Sequence, residues 1–165
     1  MTLQLGDYGV SHGNGLAGEL IRTVTNSWAG HAFVYIGNQQ IIETAILGVR
    51  ISPVTTHPDA KWGHESLSDT QRIAICNRAH ALIGTPYDWP AYVGFSLEIL
   101  KLRTGQQLDP VFRQDNWRVC SALVVDCYSY AGVTLFPNAD YPNLITPDDL
   151  YRRITTNTTA ASPLP

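Results

Sequence analysis

Cys120, His31 and Glu43 are of the three types that together make a nucleophilic relay. In such a relay a thiol attacks a carbonyl carbon, an imidazole takes and returns its proton, and a carboxylate orients the ring and supports its charge. The substrates are acyl compounds: amides, esters or thioesters. Each residue also has a purely structural reading, and spacing is what separates the two.

Cys120 lies in "WRVCSALVVDCYSYAG", residues 117–132. Cys120, Leu123, Val124, Cys127, Tyr128 and Ala131 fall at i, i+3, i+4, i+7, i+8 and i+11, the apolar face of a buried helix. Cys127, in mid-helix, reads as one more small apolar residue. Cys120 stands where the pattern starts, at the positive end of the helix dipole, a position that lowers a thiol pKa.

Among the five histidines, His31 opens the apolar stretch "HAFVYIG" with no polar neighbour to solvate it. His12 in a Gly-rich loop, His57 and His64 in an expected loop at 53–65, and His80 on a helix read as surface or partly buried polar residues. Cys76 and His80 share a helix face, but a structural zinc site needs four ligands and no second pair presents itself. No metal or cofactor is expected.

Glu43, in "IIETAI", is a carboxylate in an apolar strand, costly to bury without a partner. Hairpin register decides whether His31 is that partner. A two-residue loop at Gly37-Asn38 puts Glu43 opposite Ala32, on the wrong face. A three-residue loop, Gly37-Asn38-Gln39, puts it opposite Phe33 and diagonal to His31, and that loop is the expectation.

The elements that must hold these residues follow from pattern. Helical spacing of Leu16, Leu20, Ile21 and Val24 predicts a helix near 15–25; alternation predicts strands near 31–36 and 40–46, and "GVRISPV" extends the sheet. Ser68 with Gln71 makes a capping box for a helix that stops at Gly84. A further helix is predicted from Asp88 to Gly105, and Thr146 caps a last one with Pro147 at its first position. The fold class is α+β: a small, mainly antiparallel sheet packed against helices, the cysteine helix among them. The 165 residues fit one domain over 1–153, followed by a Thr/Ala/Pro-rich mobile end at 154–165.

Composition excludes several classes. A net charge of −3 without a basic block speaks against nucleic acid. No stretch approaches the ~18 apolar residues of a membrane span. Three cysteines cannot all pair, so a reduced, cytoplasmic setting is the default, and "MTLQLGDYG" carries no secretory signal.

"GDYGV", "GHAFVYIG", "IIETA" and "VCSALV", with histidine before cysteine, resemble the circularly permuted papain-like cysteine amidases of the NlpC-type cell-wall peptidase superfamily, which includes relatives of lecithin–retinol acyltransferase. "IGTPYDW" resembles the segment that precedes the nucleophile there, which makes Tyr87 a candidate wall of the site; Trp117 is a second candidate substrate-binding residue. The resemblance implies a permuted papain-like fold and a peptide or other acyl substrate, with cell-wall peptides first. Lipid acyl transfer or thioester hydrolysis by the same relay is the alternative, and a catalytically silent binding module of this fold is a second. Acting on a wall would require release or export by a phage or a secretion system.

Overall fold

Alternating apolar residues and left-handed turn residues make the five strands of an antiparallel sheet between Tyr8 and Gly63. Its strands are β1 (Tyr8–Ser11), β2 (His31–Gly37), β3 (Gln40–Ala45), β4 (Gly48–Pro53) and β5 (Lys61–Gly63), in spatial order β4-β3-β2-β1-β5. The structure is a computed structural model and describes residues 2–13, 15–45, 47–86, 120–139 and 145–160. Among them are four helices: α1 (Gly15–Thr25), α2 (Asp69–Ala81), α3 (Cys120–Tyr130) and α4 (Pro147–Ala160). The chain is therefore α+β, as its periodicities predict. No helix among the described residues is long and apolar enough to cross a membrane.

Period-two alternation gives each face of the sheet its own cluster. Tyr8, Val10, Ala32, Val34 and Ile42 enter the main core with Ile75 and Ala79 of α2, Leu123, Val124, Cys127 and Tyr128 of α3, and Leu150 of α4. Each large aliphatic side chain buried there contributes about 1.5–3 kcal/mol. Phe33, Tyr35 and Ile41 point the other way and are covered by Val54, Ala60 and Trp62.

The cover corrects one expectation. Residues 53–65 read as loop, yet they contain a 3-10 turn (Val54–Thr56) and β5, which pairs with β1 through Gly9↔Trp62. A three-residue strand is too short to show a period; only its partner makes it one.

The helix ends follow their capping signals. Ser68 and Gln71 form the capping box of α2, and Gly84, at φ 80°, carries the chain out of it. There Gly84 donates its amide to the Val49 carbonyl, and Val49 donates to Thr85, tying α2 to β4. At α4 the Thr146 hydroxyl accepts from the Asp149 amide.

α4 also overruns the boundary expected at residue 153. It stays helical through Ala160: Ile154 packs on the core, and the hydroxyls of Thr155 and Thr156 donate to the Arg152 carbonyl at 2.8 and 2.9 Å. Back-bonding satisfies threonines that would otherwise disfavour a helix. The helix predicted over 88–105 lies outside the described residues.

Candidate functional site

Three contacts seat α3, whose first residue is Cys120. The Ser121 hydroxyl donates to the Ile145 carbonyl at 2.6 Å, the Tyr128 hydroxyl donates to the Gly6 carbonyl at 2.7 Å, and Arg78 of α2 donates to Asp126 at 3.0 Å. The helix is thus fixed at both ends and along one side. Its start faces the beginning of β2, where His31 sits.

Glu43 reaches His31 through the β2–β3 hairpin. The turn is two residues, Asn38-Gln39, both left-handed at φ 50° and 58°, closed by the pair Gly37↔Gln40. The expected three-residue loop is therefore corrected: Gly37, at φ 89°, joins the ladder, and a register shift between Tyr35 and Gly37 supplies the extra residue. The resulting register still pairs Glu43 with Phe33, so His31 and Glu43 share a face.

The Nε2 of His31 lies 2.9 Å from Glu43 Oε2, and the Nε2 of His57 lies 2.8 Å from the same oxygen. A carboxylate only accepts, so both ring nitrogens are N–H donors. In the neutral ring, His57 Nδ1 is then the acceptor for the Ser11 hydroxyl at 3.1 Å. The other oxygen, Oε1, accepts from the Ser52 hydroxyl at 2.5 Å and from Arg50 Nε and Nη2 at 3.1 and 3.0 Å. Five donor atoms converge on the two oxygens of this buried carboxylate, and such donors are the condition for keeping it charged inside a protein.

Aromatic packing holds the second histidine. Phe33 stacks on His57 with ring centroids 4.7 Å apart, and Trp62 meets the Phe33 edge at 5.4 Å. Gly9 makes room for this stack, since a Cβ there would come within 2.2 Å of the Phe33 ring.

With Nε2 of His31 engaged by Glu43, Nδ1 is the ring nitrogen left for Cys120. Burial works to lower the His31 pKa, but interactions with the Cys120 sulfur and the Glu43 carboxylate outweigh it and raise the value to about 9. Burial likewise opposes the charge on Glu43, yet hydrogen bonds from His31, His57 and Ser52 hold its carboxyl well below the usual carboxylate range. The other two thiols differ: burial pushes both Cys127 and Cys76 up.

The structure thus brings together Cys120, His31 and Glu43. Tyr87 and Trp117 lie outside the described residues. His57, read from sequence as a surface or partly buried polar residue, is instead buried on Glu43, and this is a correction. Its loop carries no periodicity that could have placed it. Arg50 and Ser52 did leave a signal: they alternate along β4 and face Glu43 and Ile41 across the ladder.

Cys76 and His80 make no ligand pair, because His80 Nδ1 contacts the Cys76 carbonyl at 2.8 Å and the Cys76 thiol donates to Tyr35. A different set of ligand types escaped the sequence reading. His31, Glu43 and His57 each offer one ligand atom, all within 4.8 Å of one another. No family model matches the chain, and no curated protein sequence matches it.

Proposed function

We propose that the protein is a cysteine hydrolase that cleaves an amide or peptide bond, with peptidoglycan-type peptides as the first substrate class, on a permuted papain-like fold. One observation carries the reading: a partly buried His31–Glu43 hydrogen bond of 2.9 Å, with the sulfur of Cys120 acting on the same ring from the first residue of a helix. In this reading the Cys120 thiolate attacks the carbonyl carbon while His31, protonated, stands ready. Collapse of the tetrahedral adduct breaks the C–N bond, and His31 gives its proton to the departing amine. Water, deprotonated by His31, then opens the thioester, releasing the carboxylic acid and restoring the Cys120 thiolate beside protonated His31. Glu43 keeps the ring's Nε2–H fixed, so that Nδ1 faces sulfur throughout.

Permuted order is supported by the sequence of parts, with the histidine strand and carboxylate strand before the nucleophile helix. Peptide amides are the preferred class because the motif resemblance points to wall peptidases.

The test is release of free amines from purified cell wall by the chain, against Cys120→Ala. Amine release that the variant lacks is the expected result. Equal release by both proteins, or turnover confined to acyl-lipid and thioester substrates, would overturn the peptide reading.

A further inference from the structure

We infer that His31, Glu43 and His57 form a binding site for one zinc-class divalent cation, coordinated by the two Nε2 atoms and Oε2 and open at its remaining positions. The binding claim does not rest on the hydrolase reading. Both imidazole nitrogens already converge on one carboxylate oxygen at 2.9 and 2.8 Å, and all three ligand atoms lie within 4.8 Å of one another. Two nitrogens and one carboxylate oxygen are a donor set for zinc and its neighbours; calcium and magnesium prefer oxygen alone. Bonds of about 2.0–2.2 Å at tetrahedral angles put ligand atoms about 3.3–3.6 Å apart. Admitting the ion therefore lengthens the two Nε2–Oε2 distances by about half an ångström, with the two ring nitrogens settling at the same separation from each other.

The outer partners suit such an ion as they stand. On binding, the proton of a neutral His57 ring moves from Nε2 to Nδ1, while His31, protonated at rest, releases its Nε2 proton to solvent and keeps the one on Nδ1. His57 Nδ1–H then donates to Ser11, whose hydroxyl can accept as readily as it now donates. Ser52 and Arg50 remain on Oε1, the oxygen the ion does not use, and fix the carboxylate's orientation. Glu43 and His57 are nearly buried, with side chains 4% and 7% exposed, while His31 at 15% leaves an approach from solvent. Cys120 faces the other nitrogen of His31 and lies outside the ligand set.

A consequence does rest on the hydrolase reading. An ion on Nε2 leaves Nδ1–H a far weaker acid than the imidazolium, so His31 can neither give its proton to the departing amine nor take one from water, and zinc inhibits turnover.

The experiment titrates zinc chloride into the full chain, reduced and stripped of metal, in competition with a chromophoric chelator. Cobalt chloride then reports the ligands by its spectrum. One equivalent should bind, retained in Cys120→Ser, weakened about tenfold in Ser11→Ala and by about a hundredfold or more in His57→Gln. Bound cobalt should show tetrahedral bands in the visible without sulfur-to-metal charge transfer. Circular dichroism checks that His57→Gln is folded, and His31→Gln replaces it if it is not. Absence of saturable micromolar binding by the wild type would overturn the site, as would full affinity in the folded histidine variant or a charge-transfer band lost in Cys120→Ser. Amine release by the metal-free chain scores the hydrolase reading separately, so either claim can fail alone.

Discussion

Asp7 and Glu43 are both buried carboxylates, and each accepts hydrogen bonds from a histidine and an arginine. Asp7 takes His64 Nδ1 at 2.7 Å, Arg72 at 3.2 Å and the Gln4 amide at 2.8 Å. These bonds tie the approach to β1 onto α2. Glu43 takes His31, a second histidine, Ser52 and Arg50. The difference lies beyond the histidine. His31 has a thiol acting on it, whereas Cys76, the buried thiol on α2, spends its proton on the Tyr35 carbonyl and has its pKa pushed up by burial. A histidine–carboxylate pair can thus be structural cement, and a third group at the ring's other nitrogen is what the proposed relay adds.

The largest expected effects separate the two clusters outright. Cys120→Ser and His31→Ala should each lower turnover about 10⁴-fold or more, and combining them should add little, because members of one relay act as a unit. Glu43→Gln should cost about 10²–10³-fold, since it orients rather than attacks. Asp7→Ala should instead cost about 3–5 kcal/mol of stability by leaving Arg72 without its buried partner, and spare turnover in whatever stays folded. Hydrolysis of an activated acyl substrate and a denaturant midpoint measure the two axes. Loss of turnover in folded Asp7→Ala would erase the distinction.

A smaller effect is expected from pH. His31 is raised from its ordinary 6.5 to about 9, so the stability it contributes is fully present below about 6.5 and is lost as pH rises through about 9. Glu43 is held below its ordinary 4.5, so its contribution is present above that value and lost as pH falls. Melting temperature, measured with a chelator present, should therefore decline on both flanks. Cys120→Ser removes one of the two groups that raise His31, and should move the alkaline decline to lower pH. Asp7→Ala should leave that decline where it is. An alkaline limb indifferent to Cys120 would detach the thiol from the ring.

The contrast between the clusters also shows where sequence was readable. Glu43 stood out because a charge in an alternating apolar strand demands a partner, and counting along the hairpin put it on the face of His31. The count survived even though the turn differed, because a bulge and a tight turn together consume the same residue as a longer loop. Helix caps at Ser68 and Thr146 were legible for the same local reason. His57 and β5 were not: His57 owes its place to Ser11, 46 positions away, and β5 to Tyr8–Val10, 51 to 55 positions away, and no local pattern encodes that. The continuation of α4 past residue 153 escaped because threonine-rich composition reads as disorder until its hydroxyls find carbonyls.

The smallest expected effect lies within a single helix face. Cys127 follows Cys120 by two turns of α3, yet it is wholly buried among core residues, where Cys120 meets His31. Cys127→Ser places a hydroxyl in that core, and back-bonding to the preceding turn can satisfy part of its demand. A loss of about 1–3 kcal/mol in stability is expected, with turnover per folded molecule unchanged. Mild alkylation should agree, since a thiol pushed up by burial is a poor nucleophile: iodoacetamide should mark Cys120 well before Cys127 or Cys76. Folded Cys127→Ser without turnover, beside an active Cys120→Ser, would mean that the helix presents its working sulfur two turns further in, and His31 would then be answering to packing rather than to a nucleophile.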